Sequence, residues 1–536
     1  METPTKSRTT EAISSWLVSR LAARLTLEVH EIDIDAEFVD YGLNSLEAVN
    51  LSGELEHFLG RRLSPDLLWT YPTIEALVRH LAEDPADVPE PASGHLGRAY
   101  ITAPLAKAER RWTGLDRWRT VEEEVQTTAE IPPKYYRFDC SPEYRQLQQQ
   151  LQEIKALGII NPYFTVHEQV AKETSWVEGR ELINYSAYNY LGLSGDPVVS
   201  QAAQAAIARY GTSVSASRLV SGEIPLHRQL EQALADFIGV DACIAYVGGH
   251  AANVTTIGHL FGPQDLILYD ALSHNSILQG CLLSGASAIA FPHNDWRALD
   301  QLLTERRRRY RRVLIVIEGV YSMDGDVPNL PQFIQVKQRH KTFLMVDEAH
   351  SIGVLGQKGQ GIGEFFDIDR TEVDLWMGSL SKAFASCGGY IAGSRALVDY
   401  LKYTAPGFVY SVGLSPPNAA AALTALRQIK AQPERVAQLQ ARASLFLALA
   451  QDQGLDTGAS RASAIVPVIV GESLKCLKLA QALLQRGINV QPMLSPAVPE
   501  GAARLRFFLS CTHTEAQIRS TVEAVVNALQ RTNQGI

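Results

Sequence analysis

Two apolar runs, each suited to a buried strand, end on residues that do chemistry. Thr342 to Val346 stops at Asp347, in Val346-Asp347-Glu348-Ala349-His350-Ser351. Val373 to Met377 leads through Gly378 and Ser379 to Lys382, in Gly378-Ser379-Leu380-Ser381-Lys382-Ala383. From Asn161 onward such runs alternate with helical patterns, which predicts a mostly parallel sheet covered by helices. In that architecture ligands sit at the carboxyl ends of the strands, where both motifs fall.

A carboxylate and a lysine in such places meet the needs of pyridoxal 5'-phosphate (PLP). The lysine forms a Schiff base, and the aspartate keeps the pyridine nitrogen protonated so that the ring acts as an electron sink. The spacing of Asp347 and His350 lets one reach a ring nitrogen and the other a ring oxygen. A structural Asp–His pair is the competing explanation. Lys382 is harder to explain by packing, because lysines are seldom buried without a task. Tyr246 to Asn253 joins a strand, Cys243–Val247, to a helix through Gly248 and Gly249. Small residues there let backbone N–H groups cradle a phosphate at the helix start. His274, after the strand Leu266–Asp270, is placed to stack on a planar ring, although a lone histidine is more often structural. Glu318 to Asp326 follows the strand Val313–Ile317.

A chain of 536 residues is too long for one core, so two or three domains are expected. Its net charge of −9 argues against a nucleic-acid binder. No stretch is apolar for long enough to span a membrane, and residues 1–6 lack a signal-peptide core. The six cysteines have no paired spacing, which suits free thiols in a cytoplasmic protein and gives no metal signature. The basic run Arg306 to Arg312 reads as the solvated end of a surface helix, with a docking patch for an acidic partner as the sharper alternative.

The N-terminal part has helical patterns from Ala12, from Ser45 and from Tyr71, with Thr73 placed to cap the last. Residues 84–94, rich in Pro and acids, read as linker. A Gln-rich helix is expected over Ser141–Leu157, and a smaller α+β domain from Pro417, with strands at 464–470 and 504–509. Ser45 stands after the Gly42 loop at a helix start, where a phosphate is favoured, although an ordinary N-cap would also use a serine.

With Asp40 to Leu51 and Tyr71 to Leu77 together, residues 8–82 resemble the acyl carrier proteins of polyketide synthases. The resemblance implies a four-helix, all-α domain whose Ser45 carries 4'-phosphopantetheine, attached by a phosphopantetheinyl transferase. Asn44 stands where that family usually has Asp.

The order of the remaining motifs, with Tyr188 to Leu193 among them, resembles the α-oxoamine synthases over residues 161–528. That family includes 8-amino-7-oxononanoate synthase and serine palmitoyltransferase. The resemblance implies an aspartate aminotransferase-like fold type I and a homodimer. It implies Lys382 as the Schiff-base lysine, Asp347 at the ring nitrogen, His350 and Ser322 at the ring oxygen, and His274 on the ring face. Gly249, His250 and Ser379 would hold the phosphate, Arg506 the amino-acid carboxylate, and Asn189 would lie near the substrate. Tyr410 to Gly413 would reach the partner's phosphate. Ser379 replaces the usual Thr, His250 an aromatic, and Ala497 a Thr found in coenzyme A users; the last fits a tethered acyl donor. The implied layout is a carrier at 1–83, a linker at 84–140, and a synthase at 141–536. Within the synthase, 190–416 form the large domain, and 141–189 with 417–536 the small one. The implied reaction is decarboxylative condensation of an amino acid with a carrier-bound acyl thioester, loaded by an upstream acyl-loading or polyketide synthase enzyme. Two alternatives stay open: an aminotransferase acting on a carrier-bound carbonyl, and a non-catalytic scaffold.

Overall fold

The computed structural model describes residues 10–25, 29–36, 38, 51, 54–55, 58–59, 71, 73–83, 131–495, 497–499 and 501–533. Ser45, Asn44 and positions 84–130 of the expected linker lie outside them. The chain divides into two units between Asn161 and Pro162. The helix Pro142–Ala156, capped by Ser141 through the N–H of Tyr144, therefore groups with the N-terminal unit and not with the small domain as expected. Residues 131–140, expected as linker, contain two short 3-10 turns.

In the first unit, helix Thr10–Leu25 places Ile13, Leu17 and Leu21 on one stripe. Helix Ile74–Glu83 does the same with Ile74, Leu77, Val78 and Leu81. That spacing makes an apolar face, and the two faces share one core with Ile32, Phe38, Leu51 and Leu55. Thr73 caps the second helix as expected, accepting from Ala76 N at 3.1 Å.

The second unit opens with a hairpin, β1 (Thr174–Val177) and β2 (Arg180–Asn184). The large sheet follows: β3 (Ala242–Tyr246), β4 (Leu266–Asp270), β5 (Ser287–Phe291), β6 (Val313–Glu318), β7 (Phe343–Asp347), β8 (Leu375–Ser379) and β9 (Gly389–Gly393). Its order is β3-β9-β8-β7-β6-β4-β5, and β9 alone runs against the rest. β6 is buried at every position, as a strand covered on both faces must be. Because six strands run the same way, Tyr246, Asp270, Glu318, Asp347 and Ser379 end at one edge of the sheet. The antiparallel β9 fits between β3 and β8 through close packing at glycine. A Cβ at Gly389 would come 2.6 Å from the Cα of Gly249. A second region holds β10 (Ile465–Gly471), β11 (Ile488–Asn489), β12 (Gln491–Met493) and β13 (Ala503–Phe508). β13 lies between β10 and β12, while β11 joins the first hairpin through β2. Among the described residues no helix is long and apolar enough to cross a membrane.

The basic run differs from its expected solvated form. Helix Trp296–Arg306 ends there, and only Arg308 and Arg309 stay exposed without a described partner. Arg307 donates to the carbonyls of Tyr310, His340 and Lys341. Arg311 and Arg312 converge on Asp265, which is fully buried and also accepts from the N–H groups of Gly262 and Arg312. Burial opposes the ionised form of Asp265, but the hydrogen bonds from Arg312 and Arg311 outweigh it and bring the group down to about 2. A depressed carboxylate stabilises above its unfolded value, and that contribution fades as pH falls through its folded value. Asp265→Asn should therefore lose about 1–3 kcal/mol at neutral pH, read as an earlier urea midpoint. The gap from the parent should close as pH falls from about 4 toward about 2.

Candidate active site

Asp347 ends β7 at 4% exposure, and donors meet both of its oxygens. Ala349 N donates to Oδ1 at 2.9 Å, and Asn253 Nδ2 to Oδ2 at 2.9 Å. Asn253 lies one turn into helix Gly249–Leu260, on the side that faces the sheet edge. The same Nδ2 donates to Ser276 Oγ at 2.9 Å. Ser276 in turn lies 2.7 Å from Nδ1 of His274. One amide thus fixes both the carboxylate and, through a hydroxyl, the imidazole.

His274 caps helix Asn275–Ser284, and its Nδ1 accepts from Ser276 N at 3.2 Å. An accepting Nδ1 leaves the ring proton on Nε2. Burial lowers the pKa of His274, with Lys382 and His250 adding to the effect against the pull of Asp347. Its own N–H donates to Oε1 of Glu318 at 2.5 Å. Glu318 is paired in register with Asp347 across β6 and β7. Burial and the neighbouring Asp347 push Glu318 well above the ordinary carboxylate range. Neighbouring carboxylates in a dry site disfavour each other's charge, which is the second cause of that rise.

Lys382 opens onto a cavity of about 540 Å³ that Tyr188, Asn189, Ser381 and Asn418 also line. Its Nζ stands 5.9 Å from the Tyr188 ring centroid. Loss of solvent lowers the amine to about 8, with Asp347 and Glu318 opposing and Arg506 assisting. His350 Nδ1 is 2.8 Å from the Tyr190 hydroxyl. Burial, then the nearby Lys382 and Arg506 cations, hold its pKa well below the usual value. Asn189 lines the cavity, but its carboxamide is committed to the main chain at Ala171 and Ser194. It organises the cavity wall, and neither of its donated bonds points to a ligand.

The phosphate cradle expected at Gly249 has the right form. Gly248, the N-cap of helix Gly249–Leu260, supplies no side-chain cap, so the helix start keeps N–H groups for an anion. A Cβ at Gly249 would stand 3.3 Å from Ser379 Oγ, which places that hydroxyl against the helix start. Ser379 Oγ is 2.7 Å from Ser381 Oγ, and His250 is exposed in the first turn. Across the site Arg506, on β13, donates from Nη1 to Ser322 O at 3.0 Å and lies 4.6 Å over the Phe508 ring. Its buried Nε has no partner among the described residues, so a donor remains for a carboxylate. Ser322 meets Arg506 through its carbonyl. The helix start, the hydroxyls, the strand-end carboxylate, the buried amine and this guanidinium are a donor set that fits PLP and an amino acid.

Sequence reasoning had not singled out Asn253, Ser276, Glu318 or Tyr190 as site residues. The available signals were the helical spacing of Asn253 from Gly249 and the place of Glu318 at a strand end.

A family model described as aminotransferase class I and II matches residues 180–525. One described as a phosphopantetheine attachment site matches residues 15–81, the stretch that contains Ser45. An 8-amino-7-oxononanoate synthase of Geobacter sulfurreducens is 40% identical over 384 residues, covering 71% of this chain and 97% of that protein. A serine palmitoyltransferase from S. paucimobilis, solved with a PLP–myriocin aldimine bound, has a TM-score of 0.71 at 29% identity. That match covers 73% of this chain and 98% of the other. The Francisella tularensis 8-amino-7-oxononanoate synthase gives a TM-score of 0.58 at 27% identity, over 66% of this chain and 99% of its own.

Near neutral pH an amine near 8 keeps a neutral fraction roughly three hundredfold above that of an ordinary lysine. In the protein without added cofactor, a small amine-directed acylating reagent at about pH 7 should label Lys382 ahead of the exposed lysines. Peptide mass spectrometry over a time course checks it, and equal labelling of Lys358 and Lys382 would contradict the low value.

Proposed function

The chain belongs to the aminotransferase class I and II family, in its α-oxoamine synthase branch, and from that premise we propose its reaction and the residues that carry it. It condenses an amino acid with an acyl thioester, releasing carbon dioxide and a thiol and leaving an α-aminoketone. The observation that carries the reading is a lysine amine lowered to about 8 beside Asp347 and His274 at the same sheet edge. Such an amine gives up its proton more readily than an ordinary lysine, and the His274 imidazole offers an N–H donor at the same sheet edge.

PLP, when bound, supplies a protonated pyridine ring that takes up the electrons released at the amino acid's Cα. Lys382 holds it through Nζ, and Asp347 pairs with the ring nitrogen. Gly249, His250 and Ser379 hold the phosphate, while His350 and Ser322 stand at the ring oxygen. Arg506 takes the amino-acid carboxylate in a fork of donors. Nζ of Lys382 would take the Cα proton and later return one. His274 covers the ring face, and its Nε2–H polarises the thioester carbonyl. Atoms balance: the Cα–H, Cα–carboxylate and thioester C–S bonds break, a Cα–acyl bond forms, and of the two protons that end on the thiol and on Cα one comes from Cα and one from solvent.

The thioester is delivered by the carrier domain, residues 1–83, on 4'-phosphopantetheine attached to Ser45 by a phosphopantetheinyl transferase. The arm is loaded by an upstream acyl-loading or polyketide synthase enzyme. Residues 84–140 serve as the linker in this layout. Tethering raises the donor to roughly millimolar effective concentration where the linker spans the distance. The protein acts as a cytoplasmic homodimer. Tyr410, at 86% exposure beside Ser411, is then the residue that faces the partner.

Lys382→Ala should lose carbon dioxide release from amino acid and acyl carrier by about a thousandfold or more, with the fold intact by circular dichroism. A variant that keeps the rate would overturn the assignment, and pyridoxamine phosphate formed without carbon dioxide would point to transamination. For the carrier, intact mass after incubation with a phosphopantetheinyl transferase should rise by one arm in the parent and not in Ser45→Ala. An equal gain in both would remove Ser45 from its role.

A further inference from the structure

His293 lies outside the machinery described so far, yet it bridges the two loops that present His274 and Arg506. It sits two residues beyond β5. Its Nδ1 is 2.8 Å from Asp270 Oδ1 and its Nε2 is 2.9 Å from Asp326 Oδ2. Asp270 is fully buried and Asp326 is 4% exposed. Both carboxylates collect other donors as well: Leu272 N and Asn294 N on Asp270, and Asn294 Nδ2 on Asp326. Carboxylates that only accept require a proton on each ring nitrogen, so His293 is an imidazolium held between two buried anions. Its ring stands edge-on to Tyr321, with centroids 4.5 Å apart.

Each anion leads to a functional side chain. Asp270 ends β4 and shapes the turn to His274, holding Leu272 N at 2.9 Å by its side chain and Ser273 N at 2.9 Å by its carbonyl. Asp326 closes the loop Tyr321–Asp326, its carbonyl accepting from Tyr321 N at 3.2 Å. That loop supplies the Ser322 carbonyl and Met323 sulfur against which Arg506 rests.

We propose that His293 is a positioning residue for amino-acid recognition: its ring, clamped between Asp270 and Asp326, fixes the Tyr321–Asp326 loop and so the guanidinium of Arg506. The proposal rests on the reading of Arg506 as the carboxylate-binding residue. Burial opposes charge on the ring, but the hydrogen bonds to Asp270 and Asp326 prevail and raise it to about 10, so the clamp stays charged across the working range.

The test uses the full chain loaded with PLP and carrying its arm. Amino-acid binding is read without turnover, from the change in cofactor absorption on titration with glycine, alanine or serine, and then the KM of each substrate is measured. His293→Ala should weaken amino-acid binding and raise its KM by roughly tenfold or more, while the KM for the acyl carrier stays within about twofold. His293→Gln, which restores one of the two hydrogen bonds, should fall between. Unchanged amino-acid binding in His293→Ala, or equal rises in both KM values, would overturn the clamp. Should the alanine variant fail to fold, Asp326→Asn carries the same comparison, and unchanged amino-acid binding in it is equally adverse. A parent protein that binds the amino acid but releases no carbon dioxide defeats the condensation reading alone.

Discussion

The site depends on the donors that meet one carboxylate at the end of a buried strand. Removing a charge from water costs several kcal/mol unless donors replace the lost solvent. Asp347 meets that demand with a main-chain N–H and the amide of Asn253. The choice of an amide has a second effect. Its remaining hydrogen reaches Ser276, so the catalytic face inherits its order from the same group that stabilises the charge. Glu318, in register on the neighbouring strand, is pushed well above the ordinary carboxylate range by burial and by Asp347. It receives the main-chain N–H of His274 at the same edge of the sheet.

That arrangement also sets the lysine. Loss of solvent alone would lower Lys382 further, and the charge of Asp347 limits the fall, leaving the amine near 8. A base useful near neutral pH needs both pressures. Arg506 pushes in the same direction as burial, so the residue expected to bind the substrate's carboxylate also helps lower the lysine. A bound carboxylate would shield part of that push. The affinity for substrate and the basicity of Lys382 are then linked through one guanidinium.

The strand ends were legible because charge stops an apolar run abruptly, and Asp347 and Lys382 announce themselves that way. Glu318 was less so. The expected strand stopped at Ile317, one residue short, and the register with Asp347 exists only once strands pair. Asn253 looks like an ordinary polar helix residue until helices Gly249–Leu260 and Asn275–Ser284 are packed and Ser276 arrives beside it. The arginines after Arg306 read as solvated because their buried partner, Asp265, is distant in sequence. Asn189 shows a detail that its motif did not carry: it lines the cavity with Lys382, while its amide donates to backbone groups at Ala171 and Ser194.

Arg504 and Arg506 show why the second region is part of the site and not merely its neighbour. They are alternate residues of β13 and so project to the same face of the strand. Both reach the loop that follows β6. Arg504 finds a carboxylate there, Asp324, and a carbonyl at Met323. Arg506 finds only the Ser322 carbonyl and the Met323 sulfur, and its Nε stays without a described partner. An arginine paired within the protein anchors the strand, and the next one on that face keeps donors for an anion from outside. Burying a guanidinium with open donors is unfavourable, so the protein holds Arg506 over Phe508, where a cation is tolerated by the ring face. The anchor, the ring and the loop together hold a cation with a donor left over, which is what the proposed binding of the amino-acid carboxylate requires.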